Sequence, residues 1–483
     1  MMSLSQIAPI LQGRIEGEDT QFAAVSTDTR SIRQGDLFVA LKGEHFDGAQ
    51  FVAQARAAGA VAALVNRDTG FGIQDAGIPL LFVEDTRLAL GQLAAHWRKQ
   101  FDIPLAAITG SNGKTTVKEM LAAILRQKIK DDLRDSPLST RGSVGEGGRP
   151  EDADELVLAT QGNFNNDIGM PLTLLKLRDS HRYAVIEMGM NHPGEIDYLT
   201  RIARPDVALI NNASGAHLAG LGSVEAVARA KGEIFAGLAA QGTAVINADD
   251  AYAALWRTLA GNHEVLDFSL TRAAAVRGKW LSQGYGGELH IGTPVGELHI
   301  TLQVPGEHNA RNALAAATAA LALEVPLNSI VAGLQSFGGV AGRMQRKAAQ
   351  HGAMLIDDTY NANPASMHAA LEVLAQIPGK RIFVLGDMGE LGDDAAQFHR
   401  EIGITARELG IERLLALGEL SVHAAQAFGR NASHFANSET LQHQLATELD
   451  ARTTVLVKGS RFMRMERVVQ ACTTLQGEAC CSH

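Results

Sequence analysis

The strongest chemical signal in the sequence is a glycine-containing loop that ends in lysine and threonine. It reads Thr-Gly-Ser-Asn-Gly-Lys-Thr-Thr over residues 109–116, between the aliphatic segment 105–109 and the helical pattern 117–129. Glycines let backbone N–H groups turn toward phosphate oxygens, and the start of a helix adds partial positive charge. Lys114 can reach terminal phosphates, and the Thr115 hydroxyl can ligate Mg²⁺. The loop therefore predicts a nucleotide-triphosphate site.

This loop departs from the common phosphate-binding pattern G-x-x-x-x-G-K-[ST] at its first glycine. That position falls on Ile108, and Gly110 stands only three residues before Gly113. A tight strand-to-helix turn with a solvated lysine is the alternative interpretation, but strand, loop and helix together favour phosphate binding. The loop alone does not distinguish an ATPase switch, a kinase and a ligase. The residues assigned to the phosphates are Gly110, Ser111, Asn112, Gly113, Lys114, Thr115 and Thr116.

The charge and the cysteines limit the partners and the compartment. The 43 basic and 53 acidic residues give a net charge of -10, the wrong sign for a broad nucleic-acid surface. The three cysteines lie at positions 472, 480 and 481, so no disulfide framework organises the fold. No signal-peptide pattern or uninterrupted apolar span is present, and the apolar run 313–323 predicts a buried helix. We expect a cytoplasmic protein without membrane or nucleic-acid partners.

Three α/β domains are predicted from the length and from the order of the patterns. At roughly 150 residues a domain, 483 residues suggest three domains. Short aliphatic runs alternate with helical patterns from residue 104, which predicts a mostly parallel sheet, and a second series begins after the glycine-rich stretch 338–342. The predicted strands are 105–109, 183–188, 207–211 and 244–247, then 354–356, 381–385, 414–417 and 454–457. The predicted domains are a small mixed α/β domain (1–103), a P-loop ATPase domain (104–340) and a Rossmann-like domain (341–483).

Residues 130–155 do not fit a domain pattern. They are acidic, contain four glycines and two prolines, and have no aromatic residue. Such a composition buries too little apolar surface to order itself, so we predict a flexible insertion.

The loop resembles the nucleotide loop of the Mur ligases, which join amino acids or dipeptides to a UDP-muramoyl substrate in bacterial cell-wall synthesis. Further resemblances to this family cover nearly the whole chain and lie at residues 161–171, 187–191, 228–234, 306–312, 342–343 and 357–364. Segments 357–364, 386–392 and 458–461 are similar to those of the branch that adds D-alanyl-D-alanine to UDP-muramoyl tripeptide. The Asp-Asn-Pro-Arg motif of a sibling branch is absent.

This resemblance implies that ATP activates a terminal carboxylate as an acyl phosphate, which the amine of D-Ala-D-Ala then attacks. It implies Lys114, Lys231 and His217 as catalytic residues. Thr115, Glu187 and His217 are implied metal ligands for Mg²⁺, joined by Lys231 after carbamylation by CO₂. From the residues alone, Glu187 is a strand-end carboxylate suited to a metal or to capping a turn. Lys231 is otherwise a lysine on an amphipathic helix, and a carbamate requires a lowered pKa.

The resemblance also implies the residues that hold the substrates. Asn309 would contact adenine, although asparagine at a helix start also suits an N-cap. Arg343 and Asp358 would bring the third domain to the γ-phosphate and ribose when the domains close. The residues implied for the UDP-sugar are Ser26, Asp28, Arg30, Lys42 and Asp47, those for the muramoyl side are Asn165 and Asn166, and those for the dipeptide are Asn361, Asn363 and Arg461. The motifs of the UDP-sugar group fit ordinary turns equally well.

Two rival functions remain open at this point. A sibling ligase would add a different amino acid to the same kind of acceptor. A P-loop regulatory or transport NTPase would use hydrolysis to change conformation, but the missing first glycine and the nucleotide residues expected in the third domain argue against it. The resemblance implies a monomer.

Overall fold

Three separate β-sheets organise the chain. The computed structural model describes residues 1–43, 46–69, 77–135, 153–214, 221–283 and 285–473. Consecutive parts of the chain form a five-stranded, a nine-stranded and a six-stranded sheet. The predicted three-domain α/β architecture is therefore confirmed, whereas the exact boundaries at 103/104 and 340/341 stay predictions.

The first sheet has the order β2-β7-β6-β5-β4, with β2 antiparallel to β7 and the other pairs parallel. A two-stranded ribbon of β1 and β3 lies beside it. The elements of this part are β1 (Met2–Ser3), α1 (Leu4–Ile7), β2 (Arg14–Glu16), β3 (Gln21–Phe22), β4 (Ala24–Ser26), β5 (Asp36–Val39), α2 (Val52–Ala58), β6 (Ala62–Asn66), β7 (Leu80–Val83) and α3 (Thr86–Arg98).

The central sheet has the order β16-β15-β14-β13-β12-β11-β8-β10-β9. Its elements are β8 (Leu105–Thr109), α4 (Lys114–Asp135), β9 (Val157–Ala159), α5 (Gly169–Leu174), β10 (Tyr183–Glu187), α6 (Glu195–Ala203), β11 (Val207–Ile210), α7 (Val224–Gly232), β12 (Thr243–Asn247), α8 (Ala253–Ala260), β13 (Glu264–Ser269), β14 (Val276–Gln283), β15 (Gly286–Thr293), β16 (Gly296–Leu302), α9 (Glu307–Ala322) and α10 (Leu327–Gln335). Strands β8, β11 and β12 are buried throughout because helices cover both faces of a parallel sheet.

Register in the central sheet brings the functional loops together. Glu187 at the end of β10 pairs with Ile108 on β8, and Ile210 at the end of β11 pairs with Thr109. The loops after three neighbouring parallel strands therefore leave the same edge of the sheet, where open α/β sheets bind ligands.

Strands β14, β15 and β16 form an antiparallel extension that the sequence patterns did not predict. Buried and exposed residues alternate along β15, so its apolar residues do not form the continuous run that marks the parallel strands. The alanine-rich α9 packs against this extension and the central strands, and its interior is buried, as predicted for 313–323. Among the described residues, no helix combines the length and apolarity needed to cross a membrane.

The third sheet has the order β17-β18-β22-β19-β20-β21, with only β17 antiparallel to its neighbour. Its elements are β17 (Gln345–Ala348), β18 (Met354–Asp358), α11 (Pro364–Ala375), β19 (Lys380–Gly386), α12 (Ala395–Glu408), β20 (Arg413–Leu417), α13 (Ser421–Phe428), β21 (Ala432–Phe435), α14 (Ser438–Ala446), β22 (Thr453–Lys458) and α15 (Glu466–Cys472).

Helix α4 extends further than the sequence predicted. It continues through Asp135, so the prediction that a flexible insertion begins at residue 130 is wrong for its first six residues. Asp131 accepts a hydrogen bond from the Ser329 hydroxyl of α10 at 2.7 Å, and Lys128 pairs with Asp132 one turn away. These contacts hold the acidic end of the helix. Residues 136–152 of the predicted insertion lie outside the described residues.

The first and central domains share one hydrophobic core. A single buried cluster runs from Leu4 in the first domain to Trp256 in the central domain. The Trp97 indole on α3 donates to the Leu177 carbonyl at 3.2 Å, across the junction. The third domain has its own clusters on the two faces of its sheet. This arrangement makes the third domain the separate body that approaches the phosphate loop.

Candidate active site

The phosphate loop turns tightly between β8 and α4. Gly113 has φ +79°, and a Cβ built there would lie 2.3 Å from the Asn312 Oδ1 and 2.6 Å from the Asn211 Nδ2. Only glycine fits this position, because both the backbone conformation and the neighbouring amides exclude a side chain. The Lys114 Nζ donates to the Gly110 carbonyl oxygen at 2.6 Å. Burial lowers the pKa of Lys114, and the Glu187 carboxylate opposes this effect.

Glu187 is a buried carboxylate held against the start of α4. Its side chain is 2% exposed, and its Oε2 accepts from the Thr115 hydroxyl at 2.8 Å. The Asn165 Nδ2 donates to the other carboxylate oxygen at 2.7 Å. The structure therefore brings together Thr115 and Glu187, two of the four residues predicted to ligate metal ions, and adds an amide that orients the carboxylate.

Arg343 reaches this cluster from the third domain. Its Nη2 donates to the Thr115 hydroxyl oxygen at 2.9 Å, and its guanidinium lies 4.2 Å from the centre of the Tyr360 ring. The Arg343 Nε is buried without a hydrogen-bond partner among the described residues. A buried donor without a partner is costly, so an acceptor such as a phosphate oxygen suits this position.

A network of asparagine side chains holds the phosphate loop by hydrogen bonds. The roles of Asn211, Asn212 and Asn247 in it were not predicted from the sequence. The Asn211 Nδ2 donates to the Asn112 carbonyl at 3.0 Å and to the Asn312 Oδ1 at 2.8 Å. Asn212 accepts from the Asn112 backbone N–H at 2.9 Å, and Asn247 donates to the Asn211 carbonyl at 2.8 Å. The run of Asn-Asn directly after a predicted strand was the signal available in the sequence. Such amides fix the loop without adding charge.

Asn309 and Asn312 lie in the first two turns of α9. The Asn309 Nδ2 donates to the Pro305 carbonyl at 2.8 Å, and Asn312 donates to the Asn309 Oδ1 at 3.3 Å. Neither residue is the N-cap, which is Gly306. Both line the same cavity as the phosphate loop, and the adenine contact implied for Asn309 stays a prediction.

Asp358 and Lys458 form a buried pair at the edge of the third domain. They are register partners on β18 and β22, and the Lys458 Nζ lies 2.6 Å from the Asp358 Oδ2. The Met344 N–H donates to the Asp358 Oδ1 at 3.1 Å, which ties the carboxylate to the segment that carries Arg343. Lys458 was recognised as part of a motif but was not predicted to reach the site.

Three of the four asparagines implied for the substrates already have partners, and Asn165 is the one that bonds Glu187. At the start of α5, the Asn166 Oδ1 accepts from the Gly169 N–H at 2.8 Å. Asn363 caps α11 through Ser366 and donates from Nδ2 to the Asn112 Oδ1 at 2.8 Å. Asn363 therefore connects the third domain directly to the phosphate loop. Asn361 is exposed and lines the cavity.

Lys231 is buried on α7 with 2% of its surface exposed. It makes no hydrogen bond or ion pair within the described residues. Burial, and after it the charge of Lys114, lowers the pKa of Lys231 well below that of an ordinary lysine. The solvated-face alternative is therefore wrong for this lysine, because an amphipathic helix has turned it inward. His217, predicted beside it, lies outside the described residues.

Several predicted substrate residues lie apart from this cluster. Arg461 is 66% exposed along its side chain and is not among the described residues that line the cavity. In the first domain, Arg30 pairs with Asp28 at 2.6 Å and lowers the pKa of that carboxyl to about 2. The remaining three make turn or surface contacts: Ser26 bonds the Asp28 carbonyl, Lys42 pairs with Asp68, and Asp47 caps a short 3₁₀ turn.

A cavity of about 780 Å³ joins the central and third domains. Its lining contains the phosphate loop, Glu187, Asn165, Asn309, Arg343, Asp358 and Asn361. Arg87 also lines it, and pairs with Asp167 across the junction of the first and central domains. The cavity therefore receives side chains from all three domains. Glu187 and Arg343 meet at the Thr115 hydroxyl within it.

Sequence models of Mur ligase domains match the chain in three consecutive parts. The "Mur ligase family, catalytic domain" covers residues 21–98, the "Mur ligase middle domain" covers 108–320, and the "Mur ligase, glutamate ligase domain" covers 342–461. These ranges each contain one of the three sheets almost completely.

Relatives and solved structures agree with this match. The UDP-N-acetylmuramoyl-tripeptide–D-alanyl-D-alanine ligase of Escherichia coli (strain K12) is 42% identical over 97% of this chain and 98% of its own. The protein of the same name from Bacillus subtilis (strain 168) is 33% identical over 97% of both chains. MurF from Acinetobacter baumannii superposes with a TM-score of 0.85 at 37% identity, over 97% of this chain and 98% of its own.

A further solved structure holds a nucleotide. It is MurF ligase from Thermotoga maritima in complex with ADP, which has a TM-score of 0.75 at 26% identity and covers 93% of this chain and 96% of its own. Together with the phosphate loop and the cavity between the domains, these similarities identify the family. The chain belongs to the Mur ligase family.

Proposed function

We propose that this protein is an ATP-dependent ligase that joins D-alanyl-D-alanine to UDP-N-acetylmuramoyl-tripeptide through an acyl phosphate, in peptidoglycan synthesis. The observation that carries the proposal is the convergence of Glu187 and Arg343 on the Thr115 hydroxyl, at the junction of two domains, in a cavity that Lys114 also lines. Relatives with that printed activity, matched over nearly their whole length, support the choice of substrates.

ATP fits the cavity through the loop and the third domain together. Gly113 leaves backbone N–H groups open at the start of α4, where a phosphate is favoured. We place the adenine near Asn309, the ribose near Asp358 and the γ-phosphate beside Arg343. The ADP complex of the Thermotoga maritima relative supports nucleotide binding at this kind of site.

Mg²⁺ fits the residues around Glu187. A buried carboxylate and a threonine hydroxyl are hard oxygen ligands of the kind Mg²⁺ prefers, and Glu187 is held without a direct ion pair to lysine or arginine among the described residues. When bound, the metal ion supplies charge neutralisation for the transferring phosphoryl group. Thr115 and Glu187 would hold one ion, and His217 with Lys231 would hold a second.

The chain's own residues position the reacting groups and exclude water. The Lys114 and Arg343 side chains line the same cavity, and we propose that both bind phosphoryl oxygens as charge spreads over them. The substrate carboxylate attacks the γ-phosphorus and ADP leaves. The amine of the dipeptide then attacks the acyl carbon, loses a proton and expels phosphate. Closure of the third domain keeps water from the acyl phosphate.

Lys231 is proposed to carry the carbamate. Carbamylation needs a neutral amine, and the lowered pKa of Lys231 supplies it nearer to neutral pH than an ordinary lysine would. The reaction joins the amine nitrogen to CO₂ with loss of one proton. The resulting anion would give a buried oxygen ligand in place of a buried neutral amine.

The remaining site residues are assigned to the three other parts of the substrates, which are the muramoyl peptide, the dipeptide and the UDP-sugar. We propose that Asn165 and Asn166 face the muramoyl peptide and that Asn361 and Arg461 meet the dipeptide when the third domain closes further. The residues proposed to bind the UDP-sugar from the first domain are Ser26, Asp28, Arg30, Lys42 and Asp47.

We further propose that the enzyme acts as a monomer in the cytoplasm, where ATP and UDP-linked precursors are available.

Phosphate release with each co-substrate in turn tests this function. The purified chain, ATP and Mg²⁺ should release phosphate rapidly only when UDP-muramoyl tripeptide and D-Ala-D-Ala are both present. A preference for a single amino acid over the dipeptide would indicate a sibling ligase. Equal turnover without either co-substrate would indicate a regulatory NTPase and would contradict the proposal.

A further inference from the structure

Lys118 is a buried lysine that the chemistry above leaves without a role. It lies on α4 one turn after Thr115, and 1% of its surface is exposed. Its ammonium donates to the Thr160 carbonyl oxygen and lies 2.8 Å from the Glu119 Oε1. Burying an ammonium is costly, and a methionine of similar length would fill the space without that cost. The position therefore favours a role for the charged donor itself.

The partner of Lys118 is attached to Glu187. Thr160 follows β9, is 1% exposed, and accepts from the Glu187 backbone N–H through its hydroxyl oxygen at 2.9 Å. The Thr160 N–H in turn donates to the Val185 carbonyl at 3.1 Å. Lys118 therefore fixes Thr160, and the Thr160 hydroxyl in turn fixes the main chain of Glu187.

These contacts close a ring on one face of α4. Thr115 and Lys118 are three residues apart, so they share a helix face. Thr115 bonds the Glu187 carboxylate at 2.8 Å, and Lys118 bonds Thr160, which bonds the Glu187 backbone. The carboxylate and the main chain of Glu187 are both fixed relative to the same helix. A ligand restrained at both ends keeps its place when a metal ion binds.

We infer that Lys118 is a positioning residue that sets the Glu187 carboxylate against Thr115 for metal binding. The inference rests on the proposed function, because it takes Glu187 as a metal ligand. Lys118 acts through Thr160 and is not among the described residues that line the cavity. The alternative is that Lys118 only pairs with Glu119 and stabilises α4.

Mn²⁺ binding to the full chain with ADP, followed by electron paramagnetic resonance, tests the inference without relying on turnover. Lys118→Met should weaken Mn²⁺ binding about tenfold, the usual scale for a lost outer-sphere partner. Lys118→Arg keeps a charged donor and should restore most of the affinity. The matched control is Lys128→Met on the same helix, where Lys128 pairs with Asp132 at 2.6 Å near the surface and binding should change less than about twofold.

Two further variants make each outcome decisive. Thr160→Val keeps the carbonyl that accepts from Lys118 but removes the hydroxyl that accepts from Glu187, and it should also weaken Mn²⁺ binding about tenfold. Wild-type affinity in folded Lys118→Met would overturn the inference. If Lys118→Met does not fold, wild-type affinity in Thr160→Val would overturn it instead. Glu119→Gln should leave Mn²⁺ binding unchanged, and a tenfold loss there would favour the alternative.

The inference and the proposed function fail in different ways. Unchanged Mn²⁺ affinity in Glu187→Gln would overturn both the metal site and the role of Lys118. A wild-type chain that binds Mn²⁺ with ADP, yet releases no phosphate with both co-substrates, would contradict the ligase while the affinities still decide the role of Lys118. In the active enzyme, Lys118→Met should raise the Mg²⁺ requirement and leave the KM for D-Ala-D-Ala unchanged.

Discussion

The Arg343 guanidinium donates to the Thr115 hydroxyl at 2.9 Å, so a third-domain side chain bonds directly to the phosphate loop of the central domain. Arg343 also stacks on Tyr360, which holds the guanidinium plane in place. The third domain therefore contributes to the site through a preorganised cation. We therefore expect closure of the third domain to accompany phosphate binding.

Arg343→Ala should lower kcat/KM for ATP roughly 100-fold, the usual cost of removing one preorganised donor from developing negative charge. The matched control is Arg346→Ala, since Arg346 stacks on Tyr285 at 4.7 Å instead of reaching the loop. Steady-state kinetics with saturating co-substrates measure both. Equal losses in the two variants would show that the loss of kcat/KM comes from a disturbed segment 343–346 and not from a lost contact between Arg343 and the phosphate.

Gly113→Ala should lower ADP affinity by about tenfold or more, because the new Cβ meets two buried amides and φ is +79°. Gly162→Ala is the control, since φ there is +55° but no atom lies within 4 Å of the added Cβ. Isothermal titration with ADP compares the two. Wild-type affinity in Gly113→Ala would mean that the loop does not hold the phosphates.

Asn363→Asp separates two roles of one side chain. Aspartate still caps α11 but loses the N–H that donates to Asn112. The loss of one neutral hydrogen bond should raise the KM for ATP about fivefold and leave the KM for D-Ala-D-Ala nearly unchanged. The opposite pattern would assign Asn363 to the dipeptide, as the sequence first suggested.

Lys231→Met should abolish activity while raising the melting temperature at neutral pH. Burial and the charge of Lys114 lower the pKa of Lys231, so the folded chain releases a proton that the unfolded chain keeps up to a pH near 10.5. Wild-type stability should therefore rise with pH across this interval, and the gap to Lys231→Met should narrow. Melting curves from pH 7 to pH 10 in CO₂-free buffer measure this.

Activity of the alanine variant tests the carbamate separately. Added short-chain carboxylic acids should partly restore Lys231→Ala, since they supply the missing anion, and should not restore Lys128→Ala beyond its own activity. Intact protein mass in bicarbonate should show one added CO₂ on the wild type. Full activity of plain Lys231→Ala would contradict the proposed role.

The eight predicted strands and the phosphate loop were predictable because their signals are local and continuous, whereas the parallel strands β9, β13 and β21 were not predicted. Strand β8 matches its predicted range of 105–109 fully, since every residue in it is buried. The extension β14–β16 was missed because its alternating residues bury only one face. The length of α4 was missed because contacts with α10 hold an acidic segment that composition alone would leave disordered.

The burial and contacts of individual side chains were less predictable than the order of strands and helices. Lysine on a helix normally faces solvent, so neither the burial of Lys231 nor that of Lys118 can be read from spacing alone. The asparagine network around Asn211 depends on loops about 100 residues apart meeting at one sheet edge. Arg461, which pairs with Glu466, shows the reverse case, a motif residue that stays at the surface.

Oxygen transfer from the substrate carboxylate to phosphate tests the central claim most directly. UDP-muramoyl tripeptide labelled with ¹⁸O in its terminal carboxylate is incubated with ATP, Mg²⁺ and D-Ala-D-Ala, and the released phosphate is analysed by mass spectrometry. An acyl phosphate requires that each phosphate released with a new amide bond carries one carboxylate oxygen. We predict one ¹⁸O in the phosphate for each ligation. Unlabelled phosphate alongside ligated product, or phosphate formed without the dipeptide product, would contradict the account.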